Sequence, residues 1–376
     1  MDKHNLYKNQ FMLKGDLAHD GYDWWWHSFT GTNKRTGESQ SFFIEYFIIN
    51  PQRGRDYPIF TDIDNQIQPS YLMIKAGCWG KNAKQLHRYY GISEYDNSKS
   101  MLKITTKDSF LSENNIWGSV NVSKEDTITN PTYYPSTGKM NWSLKVNKVI
   151  PFNVGYGTSL PFRLSNAFEM YWHVEGMKTM YSGTVNLDGE EFIVSPDNCY
   201  GYADKNWGSN FTSPWIWLSS CNLTSKLSGL TLDNSAFDIG GGCPKVFGIP
   251  FSRKLLMNFT YEGEVFEFNF SKFWSGTRTK FKCYETESSV VWKIKTINFT
   301  SCMEVSVSCP KSEMLLVEYE DPNGARNHTR LWNGGTGIGH IKLYKIHNKK
   351  RVLVDDIIAK NVGCEFGEFK NTDNLE

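Results

Sequence analysis

The stretch Tyr200-Gly201-Tyr202-Ala203-Asp204-Lys205-Asn206-Trp207-Gly208 lies near the middle of the 376-residue chain and surrounds one carboxyl group with aromatic rings. Neighbours of low polarity disfavour the charged form of Asp204 and so raise its pKa, which suits a proton-donating acid. The glycines allow the backbone to turn or to approach a neighbour closely. The stretch is also compatible with a strand end followed by a tight turn, in which Asp204 and Asn206 bind the turn backbone and Trp207 packs inward.

The rest of the chain has the pattern of a β-protein. Aromatic residues make up 15% of it, and many alternate with polar residues, which favours strands over helices. Short extended segments recur with Asn, Asp, Ser and Gly between them, as is typical of sandwiches and barrels. Asp188-Gly189, between two such segments, indicates a type I′ hairpin. The sequence predicts an all-β fold with two barrel-like halves and few short helices.

The length of the chain predicts two domains. Single hydrophobic cores rarely grow beyond about 250–300 residues, and this chain has 376. Pro196-Asp197-Asn198 is the best candidate boundary between them. We therefore expect one domain over residues 1–196 and a second over residues 197–376, with the opening stretch at the start of the second half or at the junction.

Charge and hydropathy limit the possible partners. Lys and Arg number 41 against 40 Asp and Glu, so no net field would attract nucleic acid or an anionic membrane. The N-terminal stretch lacks the apolar core of a secretion signal, and no segment approaches transmembrane length, which predicts a cytoplasmic protein without stable membrane insertion. The eight cysteines show no close pairing, so we expect reduced and mostly buried thiols.

Several common site motifs fail on spacing or context. The glycine-rich run Gly334–Gly339 precedes a predicted strand rather than a helix, so we expect a β-turn or bulge and not a nucleotide loop. We interpret Gly240-Gly241-Gly242 in the same way. The His and Cys residues lack the short paired spacings of metal sites, and no G-x-S-x-G motif occurs. No metal and no cofactor are predicted.

Clusters of aromatic residues remain as candidates for a ligand pocket. A barrel that holds an apolar ligand needs such rings together with a few polar groups. If a carbocation forms inside, desolvated Trp and Tyr faces stabilise it by roughly 2 kcal/mol or more each. The sequence does not separate this role from ordinary core packing for the clusters Trp24-Trp25-Trp26, Tyr171-Trp172, Trp215 with Trp217, and Tyr200 with Tyr202 and Trp207.

The segment Tyr202–Gly208 resembles the Y-x-D-x-N-W-G motif of the tocopherol cyclase-like and carotenoid 1,2-hydratase-like families. The resemblance extends to Trp24–Phe29 and Phe43–Tyr46 early in the chain, and to Arg330–Gly334 and Gly363–Gly367 late in it. It therefore covers nearly the whole chain and is closest to bacterial members grouped with tocopherol cyclase. The resemblance implies a pair of lipocalin-like antiparallel β-barrel domains.

The resemblance also implies roles for particular residues. Asp204 corresponds to the acid that protonates an isoprenoid double bond, and Tyr202 is its partner. The families also have a His followed two residues later by a Trp, whereas here Trp172 directly precedes His173, so His173 is a catalytic candidate out of the family order. The candidates for substrate contact are Trp172, Trp207, Asn206, Trp25 and Trp217.

The leading hypothesis is a cofactor-independent enzyme that cyclises or hydrates an alkene in a prenylated or polyene small molecule, with Asp204 as the acid. The nucleophile is either an oxygen of the substrate or water. The alternative is a lipocalin-like carrier that binds an apolar ligand without chemistry, in which Asp204 only orients a turn. A third possibility, carbohydrate binding, requires tryptophans on an open platform.

Overall fold

The computed structural model describes residues 6–152, 154, 168–243, 245–246, 249–250, 252, 254–328 and 330–369. The Gly-containing segment 153–164 lies outside the described residues, except for Val154. The described chain is an all-β, lipocalin-like fold built on two large antiparallel sheets, which confirms the predicted fold class.

Twelve antiparallel strands form the first sheet. They are β1 (Tyr22–Asn33), β2 (Ser39–Ile49), β3 (Tyr71–Cys78), β4 (Lys84–Tyr90), β5 (Tyr95–Asn97), β6 (Lys103–Thr106), β7 (Ser109–Ser112), β8 (Asn115–Val122), β9 (Gly138–Phe152), β10 (Met170–Leu187), β11 (Glu190–Val194) and β12 (Tyr202–Gly208). Their order is β4-β3-β2-β1-β11-β10-β9-β8-β7-β6-β5, and β12 pairs with both β1 and β10. Contacts between β4 and β8 show that the sheet curls on itself.

The second half of the described chain contains the strands β13 (Trp215–Ser220), β14 (Asn222–Ser225), β15 (Ala236–Gly242), β16 (Lys245–Val246), β17 (Ile249–Pro250), β18 (Lys254–Tyr261), β19 (Glu264–Asn269), β20 (Arg278–Glu285), β21 (Ser289–Ile297), β22 (Ser301–Pro310), β23 (Leu315–Val317), β24 (Leu331–His347) and β25 (Lys350–Gly367). Eleven of them form the second antiparallel sheet, in the order β19-β18-β15-β13-β25-β24-β22-β21-β20, with β14 on β25 and β23 on β24. Strands β16 and β17 form a separate two-stranded ladder.

Helices in the described chain are short, as predicted. One α-helix, α1 (Lys124–Thr129), begins at a capping box in which Ser123 and Asp126 satisfy each other's backbone N–H groups. Single 3-10 turns occupy Tyr7–Asn9, Gly15–Ala18, Pro51–Arg53, Ile92–Glu94, Phe273–Ser275 and Lys311–Glu313. Among the residues described, no helix has the length and apolar character needed to cross a bilayer.

Local details of the strands agree with the sequence patterns. Asp188 and Gly189 have positive φ values of 51° and 90° and join β10 to β11 in a two-residue hairpin. The run Gly334–Gly339 lies within β24 where its register with β25 shifts, so it is a bulge as expected. All eight cysteines are free thiols and most are buried.

Strand β12 departs from the predicted division of the chain. Its ladder partners are β1 and β10, so the opening stretch belongs to the first sheet although it follows the expected boundary at residue 196. The chain passes to the second sheet only after Gly208. Every residue of β12 is buried, because both of its faces are covered. The alternative interpretation of this stretch, a strand end followed by a tight turn at Asp204 and Asn206, is therefore wrong.

Three hydrophobic clusters make up the core. One fills the first sheet, around residues such as Trp25 and Ile44, and one fills the second, around residues such as Trp292 and Leu343. The third cluster joins residues of both sheets, including Trp24 and Trp217. The two sheets thus pack against each other through aromatic side chains, and β12 lies at that contact.

Candidate active site

A cavity of about 340 Å³ lies between the two sheets, a size suited to a small organic ligand. Strands β1, β10 and β12 form one wall, and β13, β15, β18 and β25 contribute to the other. Its lining is mostly aromatic and apolar, and its large rings include Trp24, Trp26, Trp172, Phe211, Trp215, Trp217 and Tyr319. The cavity is therefore the candidate ligand site.

The pairing register of the adjacent strands β1, β12 and β10 determines where the polar side chains of the first wall lie. Asp204 of β12 lies opposite Trp26 of β1, and Asn206 lies between Trp24 and Trp172 as its partners on either side. Because side chains alternate along a strand, Asp204 and Asn206 share one face, and both line the cavity. A single short strand thereby places an acid and an amide among indole rings.

Asp204 is held by two hydrogen bonds. Trp172 Nε1–H donates to Oδ2 at 2.8 Å, and the hydroxyl of Tyr202 lies 3.0 Å from the same oxygen. Burial raises the pKa of Asp204 well above its ordinary value, although both hydrogen bonds act in the opposite direction. The side chain is 6% exposed and faces an apolar cavity, which is the environment of a neutral carboxyl group.

Tyr202 connects Asp204 to a second carboxyl group, Asp238 of β15. Its hydroxyl lies 3.0 Å from Asp238 Oδ2 as well as from Asp204 Oδ2. A phenol has one proton and can donate to only one carboxylate, so the other carboxyl must itself carry a proton to complete the second hydrogen bond. The geometry therefore requires at least one neutral carboxyl group in this trio while Tyr202 stays protonated.

Asp238 was not identified from the sequence. It is fully buried, it accepts a hydrogen bond from Trp217 Nε1 at 3.1 Å, and burial raises its pKa well above the ordinary value, an effect that ionisation of Asp204 would increase. The available signal was an aspartate inside the apolar strand segment Ala236–Ile239. Its pairing with Tyr202 depends on how the two sheets pack, which no local pattern reveals.

Replacement of Asp238 by Asn should stabilise the fold increasingly as the pH rises. The pKa of Asp238 is raised in the folded state, so its contribution to stability is present below the unfolded pKa and is lost as the pH rises through the folded pKa. The amide introduced by Asp238→Asn does not ionise, so its contribution to stability is not lost as the pH rises. Its N–H can donate to Tyr202 while its oxygen accepts from Trp217, so both hydrogen bonds are kept. The gain should be about 1.4 kcal/mol for each unit by which the pKa is raised.

Urea unfolding of both proteins between pH 5 and pH 9 measures this difference. A pH-independent difference between Asp238→Asn and the wild-type protein would show that Asp238 is charged in the folded state.

A third carboxyl group, Glu365 of β25, lines the same cavity from the second sheet. Trp215 Nε1–H donates to its Oε2 at 2.5 Å, and Asn333 Nδ2 donates to its Oε1. Burial raises the pKa of Glu365 to about 7, against the effect of these two donors. Glu365 lies within the segment Gly363–Gly367 that resembles the family, but the sequence did not identify it as a site residue.

A glycine lets the two walls approach closely. The three glycines Gly240–Gly242 belong to the regular strand β15 and not to a turn. A Cβ at Gly240 would lie 2.6 Å from the ring of Trp172, so only glycine leaves room for that indole. The glycine therefore supports the position from which Trp172 binds Asp204.

The predicted site residues divide into two groups. Trp172, Asn206 and Trp217 line the cavity with Asp204, and Tyr202 lies just behind its wall. The other three do not line it, because they occupy the alternate face of their strands: Trp25, Trp207 and His173. Trp25 packs instead against Lys205, with Nζ 3.6 Å from a ring centroid, and Trp207 stacks on Tyr171 at 5.3 Å.

The fold and the site together define an all-β, two-sheet protein with a buried carboxyl group at the wall of an aromatic cavity. The chain belongs to the Tocopherol cyclase-like family, whose sequence model matches residues 74–368. This match confirms the resemblance found in the motif.

The solved structures that are similar to this chain include two of low sequence identity. An AttH-type protein from Nitrosomonas europaea is 10% identical, with a TM-score of 0.48 over 92% of both chains. Kievitone hydratase from Nectria haematococca is 11% identical, with a TM-score of 0.49 over 97% of this chain and 92% of that one. A search of curated proteins found no match.

Proposed function

We propose that the protein is a cofactor-independent enzyme that cyclises or hydrates an alkene in a prenylated or polyene small molecule, with Asp204 as the acid. The observation that carries this proposal is the buried Asp204 at the wall of an aromatic cavity, hydrogen-bonded to Trp172 and Tyr202. Membership of the Tocopherol cyclase-like family supports it.

The reaction begins when the carboxyl proton of Asp204 is transferred to one carbon of the alkene. The π electrons form the new C–H bond and leave a carbocation at the other carbon. Indole faces such as those of Trp24, Trp26 and Trp217 stabilise a desolvated cation by about 2 kcal/mol each. A hydroxyl of the substrate or a water molecule then forms the C–O bond, which distinguishes cyclisation from hydration.

Tyr202 and Trp172 can form hydrogen bonds with Asp204 in both its neutral and its ionised form. After proton transfer, Asp204 is a carboxylate, and the Trp172 N–H and the Tyr202 O–H both point to its Oδ2. Tyr202 can donate to Asp204 at that stage because a protonated Asp238 donates to the phenol oxygen in turn. The trio thus stabilises the negative charge that the reaction creates.

Unpartnered polar atoms at the cavity support a ligand that carries oxygen. Trp24 Nε1, Trp26 Nε1 and Asn206 Oδ1 are buried and have no hydrogen-bond partner among the described residues. A buried polar group without a partner costs about 1–3 kcal/mol. An ether or hydroxyl oxygen of a ligand would accept from either indole N–H, and a hydroxyl could also donate to Asn206 Oδ1, so we include an oxygen function in the proposed substrate.

We also propose that the protein is located in the cytoplasm. All eight cysteines are free thiols, including the pair Cys309 and Cys364, which hydrogen-bond to each other without a disulfide. Free thiols in such numbers are typical of proteins from reducing compartments.

The enzyme and carrier hypotheses differ in what happens to the ligand. The purified protein would be incubated with an extract of prenylated phenols and polyenes, and both the bound and free fractions would be analysed by mass spectrometry. An enzyme gives a product in excess over protein, either an isomer of the substrate or the substrate plus one water. An unchanged ligand retained in stoichiometric amount would identify a carrier and contradict the proposed activity.

A further inference from the structure

Glu365 and Asp204 face the same cavity from opposite sheets. Asp204 extends from β12 in the first sheet, and Glu365 from β25 in the second, where its ladder partners are Trp217 and Asn333. Both carboxyl groups are more than nine-tenths buried, and the charge of Glu365 is near enough to raise the pKa of Asp204. A ligand in the cavity therefore lies between two carboxyl groups.

The partners of Glu365 favour its ionised form. Trp215 donates an indole N–H to Oε2, and Asn333 donates an amide N–H to Oε1. The orientation of Asn333 is fixed, because its own oxygen accepts a hydrogen bond from Trp79 Nε1 at 2.6 Å. Neither donor can accept a carboxyl proton. Asp204 differs in this respect, since the hydroxyl of Tyr202 can adjust to either charge state.

Several charged groups lie around Glu365. Asp204 and Tyr319 are close enough to interact with it electrostatically, and so are Glu45 and Lys75. Glu45 and Lys75 form a buried ion pair at 2.7 Å, which leaves little net charge from that direction. Glu169 also lines the cavity, but it pairs with Lys245 at 3.0 Å. Asp204 is neutral before the reaction, so among the described residues an ionised Glu365 is the carboxylate of the lining without a cationic partner at that stage.

We propose that Glu365 is the general base of this site, which takes the proton from the hydroxyl nucleophile as its oxygen bonds to the carbocation. This role rests on the function proposed above. Asp204 loses a proton to the alkene carbon, the nucleophile loses its O–H proton to Glu365, and the oxygen lone pair forms the C–O bond. The net result is addition of O–H across C=C without an oxidant or reductant.

The cycle closes when a proton passes from Glu365 back to Asp204 through water as the product leaves. Burial raises the pKa of Glu365 to about 7, close to the value at which a base works best at neutral pH. The carboxylate has a second effect, because a negative charge within the same apolar cavity stabilises the carbocation itself.

The test compares Glu365→Gln with Asp204→Asn on the substrate found in the extract. Glu365→Gln should lower kcat by about 100-fold or more, and the residual activity should lose the decline that the wild-type enzyme shows as the pH falls through about 7. Substrate binding, followed by quenching of tryptophan fluorescence, should persist. Unchanged kcat in Glu365→Gln, together with an inactive Asp204→Asn, would overturn the role of Glu365 alone.

A second variant addresses the case in which Glu365→Gln does not fold. Asn333 does not line the cavity, and Asn333→Ala removes one N–H donor from Glu365. The acidic limb of kcat/KM should then move up by about one pH unit, because the lost hydrogen bond favoured the carboxylate. A purely structural role for Glu365 would leave the limb in place. Full activity in Asp204→Asn would instead contradict the proposed function as a whole.

Discussion

Replacement of Asp204 by Asn is expected to abolish turnover, with kcat reduced by about 10²–10⁴-fold or more, while the ligand still binds. Asn is nearly the same shape as Asp, and its oxygen can accept the hydrogen bonds from Trp172 and Tyr202. An amide cannot transfer a proton to an alkene, so only the chemical step should be lost. Steady-state kinetics and a binding titration with the same ligand separate the two effects.

The matched control is Asp355→Asn. Asp355 is also a buried aspartate, but it binds Ser225 and Tyr261 in the second half of the chain and does not line the cavity. Its replacement should leave kcat within about threefold of the wild-type value, because Asp355 does not contact the cavity in which the reaction takes place. Undiminished turnover in Asp204→Asn would contradict the proposal that Asp204 is the proton donor. Equal losses of kcat in both variants would indicate a general effect on folding.

The sequence predicts the fold class well because local chemistry determines it. Alternation in strands such as β8 and β21, where buried and exposed positions follow one another, is visible directly in the residues. The hairpin at Asp188-Gly189 needs positive φ at two positions, and that requirement selects its residue types. Neither feature depends on distant parts of the chain.

It was harder to predict which side chains of a strand point into the cavity where the two sheets meet. Trp24, Trp25 and Trp26 are consecutive, and alternation sends the outer two to the cavity and the middle one to the core of the first sheet. Both faces of β1 are buried, so the usual polar positions that mark the outer face are missing. The same ambiguity led to the expectation that Trp25 and Trp207 contact the substrate and that His173 takes part in catalysis.

Asp238 and Glu365 illustrate a further limit. Each is a carboxyl group within a mostly apolar strand segment, which signals a buried polar contact but not its partner. Their relation to Asp204 arises only because β15 and β25 pack against β12 across the cavity. Contacts between residues so far apart in sequence depend on the packing of whole sheets, and a single sequence carries no direct record of it.

We expect the largest effect on stability from changes to a buried ion pair on the face of β12 that points away from the cavity. Lys205 lies on the face opposite Asp204 and pairs with Asp23 of β1, and both side chains are fully buried. Asp23 also accepts a hydrogen bond from the backbone N–H of Met12 at 2.7 Å. Replacement of Lys205 by Met should lower the free energy of unfolding by about 3–5 kcal/mol, because it leaves the carboxyl group of Asp23 buried without its cation.

The double variant Asp23→Leu/Lys205→Met should recover most of this loss, since two apolar side chains leave no buried charge behind. Urea unfolding of the wild-type protein, both single variants and the double variant closes a cycle whose coupling energy measures the pair. A loss below about 1 kcal/mol in Lys205→Met would show that the pair does not secure the strand. If the pair acts only by holding β12 in place, the double variant should also regain the turnover that depends on Asp204, because the restored strand returns the acid to Trp172 and Tyr202.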